Sequence, residues 1–124
     1  MEYVSLVGAP AFYDLNQACR ILVDAFGPCV FLVGSSIQSR NYRDVDVRCM
    51  LDDGAYRQLF PAGGGYQDPF WSLLVTSISC WLAHHTGLPL VDFQFQPRSL
   101  ADAHFGQAPR VPLGVFVRTL PAPP

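Results

Sequence analysis

The stretch VFLVGSSIQSRNYRDVDVRCML, Val30 to Leu51, decides how this chain is read. It opens on an apolar run, Cys29 to Val33, that suits a short strand at the centre of a sheet. Gly34 and Ser35 end that run, a polar stretch reaches Tyr42, and Arg43 to Leu51 then alternates. Residues i and i+2 of a strand share a face, so Asp44, Asp46 and Arg48 project one way and Val45, Val47 and Cys49 the other. Two neighbouring carboxylates repel each other. Such a pair persists where a divalent cation or an arginine balances it.

Helical and strand patterns flank this stretch on both sides. Asp14, with Gln17 three residues on, reads as a capping box at the start of a helix. Leu15, Ala18, Cys19, Leu22, Val23 and Phe26 supply its apolar spacing, and Gly27-Pro28 ends it. On the C-terminal side, Asp52 or Asp53 can cap a short helix through Ala55, Leu59 and Phe60. PAGGGYQ, Pro61 to Gln67, is a loop; with no Lys-Ser/Thr after its glycines, it does not read as a phosphate-cradling loop. Asp68-Pro69 predicts a cap and first-turn proline for a helix from Phe70 to His85. Its apolar stripe is Leu74, Ile78, Trp81, Leu82 and His85, and Gly87 is its stop.

LPLVDFQFQ, Leu88 to Gln96, predicts a third strand with Asp92, Gln94 and Gln96 on one face and Val91, Phe93 and Phe95 on the other. A short helix near Ser99 to His104, an edge strand within GQAPRVPLGVFV and a loose proline-rich end complete the chain. The expected fold class is α/β, a small mixed β-sheet backed by helices on one face. We read residues 1–124 as one domain, with a core at about 14–96 and a C-terminal extension over 97–124.

Composition narrows the partners. Half of the 124 residues are hydrophobic, 15% are charged and the net charge is −2, so a disordered chain is disfavoured. All eight basic residues are arginine, and they form no basic stripe of the kind that extended nucleic-acid binding requires. A small nucleotide held by two or three arginines remains compatible with this charge. Cys19, Cys29, Cys49 and Cys80 are widely spaced within apolar runs, which favours buried reduced thiols over a metal or disulfide framework. No segment has membrane-spanning length, and the expected location is cytoplasmic. The arginine-only, Ala/Gly/Pro-heavy usage suggests a GC-rich bacterium or its phage.

The chemistry follows from the acidic residues. Asp92 adds a third carboxylate from a second strand. Three such groups would hold Mg²⁺ or Mn²⁺ against a triphosphate, the arrangement used in metal-assisted phosphoryl transfer. Gly34 permits close backbone approach, and the Ser35 hydroxyl can donate to phosphate oxygens. His84 and His85 fit the end of their helix, where the macrodipole favours histidine without any catalytic role.

An apolar strand followed by VGSS, then RDVDV, then VDF resembles the nucleotidyltransferase superfamily with the polymerase β-like fold, in its small single-domain bacterial and phage form. The resemblance runs from about Asp14 to Gln96. It implies transfer of an NMP from ATP or another NTP to an unidentified hydroxyl-bearing acceptor. It implies Asp44, Asp46 and Asp92 as metal ligands and catalytic carboxylates, Gly34, Ser35 and Ser36 as phosphate contacts, and Arg40 and Arg43 as further nucleotide-binding residues. The spacer before Asp44 is slightly short and lacks the usual second glycine. The chain also has no room for the helical domain of larger relatives, so an acceptor site would come from a homodimer, a protein partner or the surface around Gly63 to Tyr66. Arg48 shares a strand face with Asp46, where it would either bind phosphate or neutralise the carboxylates. The second reading is therefore a catalytically degenerate binding protein, antitoxin-like or phage-encoded, and an Arg48–carboxylate pair is its expected signature.

Overall fold

The computed structural model describes residues 9–34, 45–106 and 108–115. In chain order these form α1 (Ala9–Phe26), β1 (Val30–Val33), β2 (Val45–Leu51), α2 (Asp53–Leu59), α3 (Pro69–Thr86), β3 (Val91–Pro97), α4 (Arg98–Phe105) and β4 (Val111–Pro112). The strands make one mixed sheet in the order β3-β2-β1-β4. β1 is antiparallel to both β2 and β4, whereas β2 and β3 run parallel. A parallel pair needs a long crossover, which α2 and α3 provide. The fold is thus a small α/β arrangement, as the alternation of patterns predicts.

One sheet face carries the main core. Leu32, Val47, Cys49, Phe93 and Phe95 pack there against Leu15, Cys19 and Leu22 of α1 and against Val75 and Leu82 of α3. Phe95 is its aromatic centre, with ring centroids 5.0 Å from Phe26, 5.4 Å from Phe60 and 5.0 Å from Phe93. Each such fully buried side chain contributes about 1.5–3 kcal/mol of transfer free energy. The opposite face is partly covered as well, which corrects the expectation of helices on one face: Ala101 and Phe105 of α4 pack there with Val33, Met50 and Phe31. Part of the helical layer therefore lies on the face that also bears the acidic residues.

The helix boundaries show where local signals rule and where they do not. Asp68 caps α3 as expected, accepting from Phe70 N and Trp71 N, and Gly87 ends it in the left-handed region at φ 68°. α1 begins at Ala9, five residues before the expected Asp14 cap, and Asp14 stands exposed within it. Pro10 suits a first turn, so the chain enters the helix earlier than the capping pattern suggests. Asp52 occupies the α2 cap position without a side-chain cap bond, and the Asp53 carboxylate accepts from Ser99 N instead. The buried stripe of α3 is Trp71, Val75, Leu82 and Thr86, while His84 and His85 are exposed.

α3 also seals a sheet edge. Ser79 Oγ accepts from Phe93 N at 3.0 Å and donates to Phe93 O at 3.4 Å, and Trp71 Nε1 donates to Phe95 O at 3.1 Å. These bonds occupy backbone groups of β3 that an outer strand would leave open to another chain. At the other edge β4 pairs with β1, and the following Gly114 N donates to Asn16 Oδ1 on α1.

Candidate functional site

The site grows from the strand register. Val33 pairs with Asp46 across the antiparallel β1–β2 ladder, and Asp46 pairs with Asp92 across the parallel β2–β3 ladder. Paired residues of neighbouring strands share a face, so the two aspartates lie side by side. Their side chains are 21% and 34% exposed, half-sheltered on the sheet surface. Gly34 follows β1 directly, at φ 84°, and a Cβ built there would fall on the Asp46 carboxylate. Glycine thus has two independent reasons to stand at 34: the left-handed backbone and the close approach of Asp46.

Arg48 is two residues beyond Asp46 on the same face, but it is buried, at 8% exposure. Its Nη1 donates to Asp92 O at 2.6 Å and to Val47 O at 3.1 Å. Its Nη2 meets Asp92 Oδ2 at 3.2 Å and lies 4.0 Å from Asp46 Oδ1. The guanidinium therefore sits as a resident positive charge between the carboxylates, anchored by main-chain carbonyls rather than waving from the surface. The Arg48 Nε makes no hydrogen bond among the described residues. From Asp92 the polar network continues outward. Gln94 Nε2 donates to Asp92 Oδ1 at 3.3 Å and to the Tyr66 hydroxyl at 3.0 Å.

Of the residues that the sequence marks, Gly34, Asp46 and Asp92 are brought together. Ser35, Ser36, Arg40, Arg43 and Asp44 lie outside the described residues. Among the described residues no group of three or more His, Cys, Asp or Glu side chains is placed to hold a metal ion. Two carboxylates at one level of adjacent strands nonetheless suit a hard, oxygen-seeking cation, with Arg48 competing for Asp92 Oδ2. The Gly63–Gly65 loop is no phosphate cradle: Gly64 N already donates to Asp68 Oδ2, and a Cβ at 64 would fall on the Tyr56 hydroxyl.

A cavity of about 380 Å³ adjoins Asp92, between α3, the segment before β3 and Tyr66. The sequence points to one edge of it, the surface around Gly63 to Tyr66, but not to its other walls, which come from segments that approach each other only in the fold. The exposed tyrosine in the glycine loop and the Thr76–Ser79–Cys80 spacing on α3 are the only local traces of it.

All four cysteines are free, but their environments differ. Cys19 and Cys49 are buried, Cys29 is half-buried and Cys80 is exposed on the cavity wall, which corrects the expectation of four buried thiols. Cys29 and Cys49 approach to 3.5 Å between sulfurs. The hydrogen bond between them holds the Cys29 thiol below its ordinary range, while that same bond and then burial push Cys49 up.

No family model, no curated protein and no solved structure matches this chain.

Proposed function

We propose that the chain is a nucleotidyltransferase-type domain that moves an NMP from an NTP to a hydroxyl-bearing acceptor. The observation that carries this reading is the juxtaposition of Asp46 and Asp92 at one level of β2 and β3, with Gly34 packed against Asp46. The open cavity beside Asp92 supports the same reading, since it gives a substrate access to one of the two carboxylates. Asp46 and Asp92, with Asp44, would hold Mg²⁺ or Mn²⁺, which would supply charge neutralisation for the triphosphate. Gly34 lets the Asp46 carboxylate close against the end of β1, and the Ser35 and Ser36 hydroxyls with Arg40 and Arg43 would contact the phosphates.

In the reaction, the acceptor oxygen bonds to the α-phosphorus as the bond to the bridging α,β-oxygen breaks. Pyrophosphate leaves with that electron pair, and the acceptor proton passes to the Asp92 carboxylate. Arg48 fixes Asp92 through its backbone carbonyl and one carboxylate oxygen, leaving Oδ1 to Gln94 and the cavity side. Arg48 is a positioning residue in this reading.

One observation favours a second reading. The Arg48–carboxylate pair expected of that reading is present, with Nη2 3.2 Å from Asp92 Oδ2 and 4.0 Å from Asp46 Oδ1, and a silent site would use such a buried guanidinium in place of a cation. The chain would then be a binding protein, and the exposed Phe70 and Leu73 at the start of α3 would belong to its partner surface.

Calorimetric titration separates the two. ATP with Mg²⁺, then Mn²⁺, is titrated into the wild type and into Asp44→Ala/Asp46→Ala. The transfer reading expects metal-dependent binding that disappears in the double variant. Absence of binding to the wild type with any of the four NTPs removes the transfer reading and leaves the partner-binding one.

A further inference from the structure

The cavity beside Asp92 has a chemistry of its own. Its walls are mainly apolar, from Val75 and Ala83 of α3 and from Pro89, Leu90 and Val91. Among the described residues, polar groups stand at a few points: Asp92, Tyr66, Thr76, the exposed Cys80 and Ser79, whose hydroxyl is already bonded to the Phe93 backbone. The one charged lining group among the described residues, Asp92, is already paired with Arg48. Among the described lining residues a polycationic ligand would find a single carboxylate with a guanidinium on it, and an anionic ligand would find no cation. A neutral ligand meets neither cost. Tyr66 receives its hydrogen bond from Gln94 Nε2, so the phenolic proton is directed elsewhere and can serve a ligand hydroxyl. About 380 Å³ falls at the lower end of the range of roughly 300–1,000 Å³ for small-molecule sites.

We infer that this cavity binds a small, uncharged molecule with an apolar body and a hydroxyl group, the hydroxyl lying against Asp92 and Tyr66. The inference rests on the transfer reading only in identifying this molecule as the acceptor. It then sets the acceptor class as a neutral alcohol or phenol, and excludes polyamines, phosphorylated compounds and nucleic acids.

The test uses Cys80 as a native reporter and three probes of similar size: benzyl alcohol, benzylamine and benzoate. The full chain is alkylated with iodoacetamide at pH 7.5, and the rate at each cysteine is followed by peptide mass spectrometry. A fragment of this size binds with a Kd on the order of a millimolar, so about 10 mM benzyl alcohol should slow Cys80 alkylation by roughly tenfold. Benzylamine and benzoate should slow it far less. Cys29, which lies outside this cavity, should be unaffected by all three. Thr76→Trp, at an exposed wall position, should abolish the protection while leaving the thermal transition in place.

Unchanged Cys80 reactivity, equal protection by all three probes, or parallel slowing at Cys29 would overturn the proposal. The nucleotide titration is read separately. Protection by benzyl alcohol without any ATP binding keeps the cavity as a neutral-alcohol site and removes its acceptor role. ATP binding without protection removes the cavity proposal alone.

Discussion

Replacing Arg48 by methionine removes the resident charge while keeping most of the buried stem. The wild-type guanidinium makes two hydrogen bonds to main-chain carbonyls and one charged contact to Asp92 Oδ2, and it stands 4.0 Å from Asp46. Breaking a fully buried ion pair by removing one partner costs about 3–5 kcal/mol. Here the Asp92 side chain is 34% exposed, so water recovers part of that penalty and about 2–3 kcal/mol is the expected loss. For a domain of this length that is a fall in Tm of roughly 8–12 °C.

Thermal unfolding of Arg48→Met, Asp92→Asn and the double variant forms a cycle that isolates the pair. The double variant should be more stable than the summed single effects by about 1–2 kcal/mol, because the amide introduced by Asp92→Asn carries no charge that needs the guanidinium. An Arg48→Met variant within about 0.5 kcal/mol of wild type, or strictly additive effects, would refute the claim that this charge holds the site together. Mg²⁺ adds a second axis. Under the transfer reading it raises the Tm of Arg48→Met more than that of wild type, since the cation replaces the lost charge. Under the binding reading it moves neither.

Gly34→Ala should cost about 1–2 kcal/mol from the left-handed backbone and should also displace the Asp46 carboxylate, abolishing metal-dependent ATP binding; calorimetric titration beside a melting curve checks both. Asp68→Ala strips the cap of α3 and leaves Gly64 N, Phe70 N and Trp71 N without their acceptor, a loss of about 2 kcal/mol in urea unfolding. Full stability in that variant would mean that the cap is replaced by water. Alkaline pH should destabilise the protein through Cys19, whose thiol burial pushes from 9.0 up to about 12. A folded pKa above the unfolded one gives stability that is fully present below pH 9 and falls by about 1.4 kcal/mol per pH unit above it. Between pH 9 and 10.5, Cys19→Ala should therefore lose about 2 kcal/mol less than wild type in urea titrations, and parallel losses would contradict the assignment.

The strands and helices were largely legible because their signals are local. The alternation in Arg43 to Leu51, the apolar Cys29 to Val33 run, the Asp68-Pro69 cap and Gly87 all act within a few residues of themselves. The capping box at Asp14 misled because a favourable cap sequence can also sit inside a longer helix, and α1 runs back to Ala9. The α3 stripe was misplaced because an almost wholly apolar helix leaves its buried side to be chosen by what it packs against.

By itself the sequence placed Asp46 and Arg48 on one strand face and Asp92 on a face of another, since the two-residue period of a strand is a property of the backbone. Only the tertiary structure decided that these faces are the same one. The parallel register sets Asp46 beside Asp92, brings Arg48 onto Asp92 and leaves a cavity against α3 and Tyr66. Register and crossover bring together residues more than forty positions apart, and no local pattern records how far one strand slides past another before its apolar face is buried.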